Sequence, residues 1–280
     1  MAVRTVKVEF TAPVHFGVGR LSDAAYTCDA ATLFSALYLE ALSMGKTDEL
    51  LNAVRSGLLS ISDAFPYIGA TFYAPKPIVP PLRKRQDRDS FAGGVDSRAR
   101  KASKKLAYIP VRQLREYLTG EFDPVSALDS FRLGKSYVTT KVNLTRDSKE
   151  DADPYHVGGY SFECGAGLYF LVDGDYDIEP ILESLQYSGL GGKRSSGYGR
   201  FESTVSSGSP FDGLGGVGTR PLVHILLSSA APTQMELTDE LLNGAYYRVI
   251  RKGGFVQSVT YSSNPLKKRD LYLFAAGSTF

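Results

Sequence analysis

The chain has no tryptophan, two cysteines, three histidines and three methionines in 280 residues. Each scarcity excludes something. Cys28 and Cys164 lie far apart and lack metal-ligand spacing, so neither a disulfide framework nor a zinc site is expected, and reduced thiols suit a cytoplasmic protein. Three histidines argue against a dedicated metal centre, and no cofactor motif is present. No apolar run reaches the roughly 18 residues that span a bilayer, and Val6-Lys-Val-Glu-Phe10 alternates like a strand where a secretory leader would be apolar throughout. The net charge is only +2, too small for a protein that grips nucleic acid across a whole basic face. Any polyanion site must be local or completed by partners. Hydrophobic residues at 43% suffice for a packed core.

Glycine is plentiful, and it concentrates. Tyr187-Ser-Gly-Leu-Gly-Gly-Lys-Arg-Ser-Ser-Gly-Tyr-Gly-Arg-Phe201 carries five glycines, Lys193 and Arg194, Ser195 and Ser196, and Tyr198. Glycine lets backbone take positive φ and approach another molecule closely. Successive N–H groups in such turns form anion-binding concavities, and Lys and Arg add phosphate donors. The nucleotide P-loop pattern fails, because Arg194 stands where Ser or Thr is needed and Tyr187 where the first glycine is needed. The dinucleotide pattern also fails at Arg194. A phosphodiester backbone is the best remaining ligand. Read from the residues alone, a glycine-rich loop with solvated charges stays open as the competing reading.

Along the chain, Val6, Val8 and Phe10 mark a first strand, and Asp29 caps a helix over 30–42. A short helix is expected over 48–56, with strands over 58–62 and 71–74. From Pro80 to Lys105 apolar periodicity is lost, and nine cations stand against three carboxylates. This reads as a basic insertion, solvated or docked on RNA or a partner. A helix is expected over 111–118, a strand over 136–144, a long polar β-excursion over 145–159, a strand over 167–173, a helix over 179–187 and a strand over 198–205. The order suits a ferredoxin-like β-α-β-β-α-β sheet with insertions. Residues 206–218 read as a Gly/Ser-rich linker. A smaller unit follows, with strands over 222–227, 245–251 and 270–274 and a helix over 234–243.

The glycine stretch Gly189-Leu-Gly-Gly-Lys-Arg-Ser-Ser-Gly-Tyr-Gly-Arg-Phe201 resembles the C-terminal signature of the RAMP superfamily of CRISPR proteins. Its Gly-Gly-Lys-Arg-Ser-Ser-Gly core is similar to the type III-A (Csm) effector-complex subunit that caps the 5′ end of the guide RNA. His15-Phe-Gly, Asp29 to Glu40, Ser62 to Pro66, Ala74 to Pro77, Ser103 to Leu106, Gly253 to Val256, Lys267 to Leu271 and Phe274 to Ser278 extend the resemblance in order.

The resemblance implies an α+β fold of two ferredoxin-like (RRM-like) modules with long insertions and a β-hairpin thumb. Residues 1–205 would be the first module, with the basic insertion 80–105, the thumb 145–159 and the glycine-rich loop 189–199. Residues 219–280 would be the second. It is expected to be a short variant or incomplete, because such relatives continue with strand-like sequence beyond the position of Phe280.

The resemblance also implies a non-catalytic role. The chain would hold the repeat-derived 5′ tag of the crRNA, meet the target RNA indirectly, and join the large polymerase/HD signalling subunit to the backbone RAMP subunit. Expected RNA-binding residues are His15, Phe16, Thr32, Ser35, Asn143, Arg146, Gly191, Gly192, Lys193, Arg194, Ser195, Ser196 and Tyr198. Tyr198 reads equally well as a buried strand residue. Tyr155, His156 and Val157 would form a wedge at the centre of the thumb. The alternative is a metal-independent endoribonuclease that processes the guide precursor through His15. It lacks a visible second catalytic group in the sequence.

Overall fold

The computed structural model describes residues 3–79, 97–143, 153–214, 223–256, 263–264 and 266–280. The first strand, β1 (Arg4–Phe10), leads through the two-residue strands β2 (Phe16–Gly17) and β3 (Ala24–Ala25) to helix α1 (Ala30–Ser43). Asp29 caps α1: its Oδ1 accepts from the Thr32 N–H and hydroxyl, each at 2.8 Å. Helix α2 (Thr47–Arg55) and strands β4 (Ser60–Ile61), β5 (Phe65–Ile68) and β6 (Thr71–Pro75) follow. Helix α3 (Ser97–Lys105), β7 (Tyr108–Pro110), α4 (Leu114–Thr119) and α5 (Pro124–Ser130) come next. Then come β8 (Gly134–Asn143), β9 (Asp153–Phe162), β10 (Ala166–Asp173), α6 (Glu179–Ser188) and β11 (Phe201–Ser207). The last stretch holds α7 (Asp239–Leu242), β12 (Val249–Lys252) and β13 (Leu271–Phe274).

The main sheet runs β11-β1-β10-β5-β6-β7, with β4 also pairing β10, and every pairing is antiparallel. Its first four strands have the 4-1-3-2 order of a β-α-β-β-α-β unit, α1 and α6 being the two crossovers. Strand β10 is apolar almost throughout because both its faces are covered. Leu168, Phe170 and Val172 join Val6, Val8, Leu33, Leu37, Ile181 and Leu185 beneath the helices. Tyr169 and Leu171 face the other way and pack with Phe65 and Tyr67, and Leu227 and Ala276 of the C-terminal stretch lie against them. Burying one such side chain contributes about 1.5–3 kcal/mol. The two-sided apolar strand therefore draws the C-terminal stretch onto the sheet.

Strands β8 and β9 pair over ten positions, from Gly134↔Phe162 to Asn143↔Asp153. The resulting hairpin joins the body through the Val14↔Tyr160 bridge and the bond from Gly158 N–H to Leu21 O (2.9 Å).

Several expectations change. The part of the basic insertion that is described, from Ser97, is helical: Ala102 is buried, and α3 packs on α5. Residues 80–96 lie outside the described residues. Residues 206–207 extend β11, and Phe211 of the expected linker packs into two apolar clusters. The helix expected over 234–243 shrinks to Asp239–Leu242. Just before it, the Glu236 carboxylate accepts from the Thr233 N–H and hydroxyl, a local turn that competes with the helix. Among the described residues, the strand expected over 222–227 is reduced to the isolated bridge Ile225↔Thr279, and the last unit has one two-stranded ladder, β12–β13.

Candidate nucleic-acid interface

The glycine-rich loop leaves α6 at Gly189 (φ 83°) and turns through a short 3-10 segment, Arg194–Ser196. Lys193 opens that turn at φ 58°, the one non-glycine residue with positive φ among the described residues. Such a conformation in a residue with a Cβ is held only by the surrounding structure. Here the Ser196 N–H donates to Lys193 O at 2.9 Å, and the Gly197 N–H to Arg194 O at 2.9 Å.

The glycines allow close approach to the protein's own backbone. A Cβ on Gly191 would stand 2.9 Å from His15 O and 3.0 Å from the Phe16 ring, and one on Gly192 would stand 2.9 Å from the His15 ring. The Gly192 N–H donates to His15 O at 2.9 Å. That N–H is therefore spent inside the fold, which corrects the expectation that Gly192 offers its backbone to a phosphate.

The loop, the N-terminus of α1 and the His15–Phe16 turn enclose an open groove of about 1050 Å³. It is lined by His15, Phe16, Thr32, Ser35, Gly191, Gly192, Lys193, Arg194 and Ser195. These come from three stretches that the sequence pointed to separately. The groove also takes in Lys252 of β12.

Its charges are largely paired. Arg194 Nη1 lies 3.9 Å from Oε1 of Glu40, whose other oxygen accepts from the Ser184 hydroxyl at 2.7 Å. Glu40 is buried on the α1 face that meets α6. Lys252 Nζ is paired with Asp29 and donates to the Thr32 hydroxyl at 3.3 Å. Burial pushes the Asp29 carboxyl up, but Lys252 and the hydrogen bonds from Thr32 outweigh it and hold the group below its ordinary value. Lys193 has no carboxylate partner among the described residues, and its Nζ sits 5.5 Å from the centre of the Tyr155 ring. The Ser35 hydroxyl donates to Ala31 O at 2.7 Å.

Other expected site residues fall elsewhere. Tyr198 is 7% exposed, and Lys141 Nζ lies 5.2 Å from its ring centre, so its face is not open for base stacking. Burial and a hydrogen bond to Tyr198 push the Tyr137 hydroxyl up. Ser196 is exposed and outside the groove lining. Val157 is fully buried, which removes it from any wedge. Tyr155 and His156 stand on the hairpin stem, opposite Lys141 and Thr140, and not at its centre. His156 Nδ1 is 3.2 Å from the Thr140 hydroxyl. Asn143 ends β8. Arg146 and the rest of the hairpin connection, residues 144–152, lie outside the described residues.

A second groove of about 810 Å³ adjoins the first through Thr27, Cys28 and Asp29 and brings in Lys76, Lys104 and Arg248. Sequence reading did not single out Lys76 or Arg248, because nothing local marks residues that converge only through the fold. The Cys28 thiol between the grooves is buried, and burial followed by the charges of Asp29 and Asp63 pushes it far up. It is therefore an inert thiol. Among the described residues, no group of three or more His, Cys, Asp or Glu is placed to hold a metal, and no helix is long and apolar enough to cross a membrane.

Comparisons with known proteins bear on the family of this chain. Residues 222–280 match the family model described as the CRISPR Csm4 C-terminal domain. The "CRISPR system Cms protein Csm4" of Mycobacterium tuberculosis is 37% identical over 269 residues, spanning 95% of this chain and 84% of that protein. The protein of the same name from Streptococcus thermophilus is 34% identical over 267 residues, spanning 95% of this chain and 85% of its own. The fold resembles a chain in the crystal structure of a Csm3–Csm4 subcomplex of the type III-A interference complex, with a TM-score of 0.64 at 16% identity, over 100% of this chain and 92% of that one. It also resembles a chain in a Csm1–Csm4 cassette with AMPPNP, with a TM-score of 0.59 at 18% identity, over 100% of this chain and 87% of that one. Identity above a third, sustained over nearly the whole length, decides the matter: this chain belongs to the Csm4 family of RAMP-superfamily subunits of type III-A CRISPR interference complexes.

Proposed function

We propose that this chain holds the repeat-derived 5′ tag of the crRNA in the groove between the glycine-rich loop and α1. It joins the large signalling subunit to the first backbone subunit of a cytoplasmic Csm complex. The observation that carries this reading is the convergence of His15–Phe16, Thr32–Ser35, Gly191–Ser195 and Lys252 on one groove. Lys193 is the cation there without a carboxylate partner among the described residues, and it is the first candidate for a phosphate contact. Solved relatives described as a Csm3–Csm4 subcomplex and a Csm1–Csm4 cassette support the two protein partners. Target sequence is then read by base pairing, while this subunit recognises backbone, tag and shape.

In this reading β8–β9 is the stem of the thumb, and the half-buried Tyr155 and the exposed His156 are the candidates left for its wedge. Residues 219–280 form the smaller second module, in keeping with the family match over 222–280.

The chain is a non-catalytic subunit. His15 suits that role: it is 7% exposed, and its Nδ1 is held by Gly158 O at 2.8 Å. General acid–base cleavage needs a second proton-transfer group in reach, and the groove's carboxylates are already paired with Lys252 and Arg194.

The test is co-purification with the other subunits of the locus, followed by sequencing of the retained RNA. The reading expects short RNAs that share a repeat-derived 5′ end. Recovery of the chain without RNA, or with RNAs of unrelated 5′ ends, overturns it.

A further inference from the structure

His15 holds a ring nitrogen in the groove whose hydrogen-bonding capacity no described residue uses. The residue is 93% buried, counting from its 7% exposure, yet it lines the groove. Its Nδ1 lies 2.8 Å from Gly158 O. A carbonyl oxygen only accepts, so Nδ1 must carry the proton. In the neutral ring Nε2 then presents a lone pair and can only accept. Nε2 stands beside the glycine loop, 3.8 Å from where a Cβ on Gly192 would be and 3.4 Å from one on Gly17. No hydrogen bond to it is formed by any described residue, and no side-chain nitrogen or oxygen among the described residues is both sealed from solvent and unpartnered. Nε2 is therefore open to the groove.

The other polar groups here point to what Nε2 meets. Lys193, Arg194 and Lys252 are donors only. Asp29 accepts from Thr32 and Lys252, and Glu40 accepts from Ser184 and is ion-paired with Arg194. A phosphodiester offers acceptor oxygens to the cations and nothing to a lone pair. A ligand that satisfies both must pair phosphate oxygens with a neighbouring donor. RNA carries such a donor on the sugar of every nucleotide, the 2′-hydroxyl, whatever the base; DNA lacks it and offers donors only on its base edges.

We propose that His15 Nε2 accepts a hydrogen bond from a ribose 2′-hydroxyl of the bound strand and so makes the groove selective for RNA over DNA. Gly158 O fixes the tautomer from behind, which makes the hairpin stem a positioning element for that contact. The proposal rests on the reading of the groove as an RNA site.

The experiment is filter binding of labelled tag RNA by the full chain, with each ribose replaced in turn by 2′-deoxyribose, for the wild type and for His15→Asn. Asparagine keeps a short N–H donor for Gly158 O and removes Nε2. The wild type is expected to lose about 2- to 10-fold in affinity at one deoxy position, the value of a single neutral hydrogen bond. His15→Asn is expected to show that loss on all-ribose RNA and no further loss at that position. If the wild type is indifferent to every deoxy substitution, or if His15→Asn keeps the full sensitivity, the proposal is overturned. Absence of tag binding by the wild type overturns the RNA reading of the groove itself, a separate result.

Discussion

Arg194 and Lys193 are neighbours in one motif, yet the structure gives them different work, and their alanine variants should separate. The guanidinium of Arg194 turns inward to Glu40, with side-chain exposures of 25% and 8%. Replacing Arg194 by alanine leaves a buried carboxylate that still accepts from the Ser184 hydroxyl. Stranding a fully buried charge costs about 3–5 kcal/mol. Contact at 3.9 Å and partial exposure of the arginine bring the expected cost to about 1–3 kcal/mol. At roughly 2–4 °C per kcal/mol, the melting temperature should fall by about 2–12 °C. Glu40→Gln added to Arg194→Ala removes the stranded charge and keeps an acceptor for Ser184, so the double variant should regain most of the loss. Thermal denaturation of the four proteins in a double-mutant cycle measures the coupling directly. An Arg194→Ala protein with unchanged melting temperature and with RNA binding weakened as much as in Lys193→Ala would refute the assignment. Arg194 would then belong to the interface and not to the fold.

Lys193→Ala should leave the melting temperature nearly unchanged, weaken tag RNA binding and lower the salt slope by about one; an unchanged slope removes Lys193 from the phosphate contacts. Gly199→Ala should destabilise by at least about 2 kcal/mol in a thermal melt, because φ is 81° and a Cβ would stand 2.2 Å from Leu190 O; a melt within a degree of wild type contradicts the geometry. The two carboxylates at the head of α1 should respond oppositely to neutralisation. Asp29 is held below its ordinary value, so its contribution is full above about pH 4 and is lost as pH falls through the depressed value. Asp29→Asn should therefore lower stability at pH 7 and flatten the acid limb. Asp63 is pushed up, first by burial, despite hydrogen bonds from the Ala30 and Ser229 N–H groups at 2.7 and 3.1 Å. Its ionisation costs stability as pH rises toward 7, so Asp63→Asn, which keeps the acceptor oxygen, should be neutral or stabilising there; equal losses in both variants would contradict this account.

What was legible in the sequence was what local chemistry dictates. Asp29 announces α1 because a cap needs only its own next three residues. The alternation of Val6, Val8 and Phe10 announces β1 because it reports one covered face. The glycine cluster announces a special loop, but not why it is glycine-rich. The close approach at Gly191 and Gly192 is to His15 and Phe16, some 175 residues earlier, and no window along the chain contains both. Arg194 reads as a phosphate donor until Glu40 is brought beside it by the packing of α1 on α6. Val157 and Tyr198 look suited to a nucleic-acid surface because apolar and aromatic residues serve surfaces and cores alike. Only the pairing of β9 with β8 and the seating of the hairpin against Val14 decide between the two. The 234–243 stretch shows the reverse error: helical spacing was present, but Thr233 and Glu236 close a turn first.

The most direct test of the central claim is photo-crosslinking of tag RNA carrying thiouridine at each tag position in turn, in the reconstituted complex, with the attached peptides identified by mass spectrometry. The account predicts crosslinks within residues 189–199 and at the start of α1, weakened in Lys193→Ala. Crosslinks confined to other surfaces of the chain, or to the partner subunits alone, would contradict it.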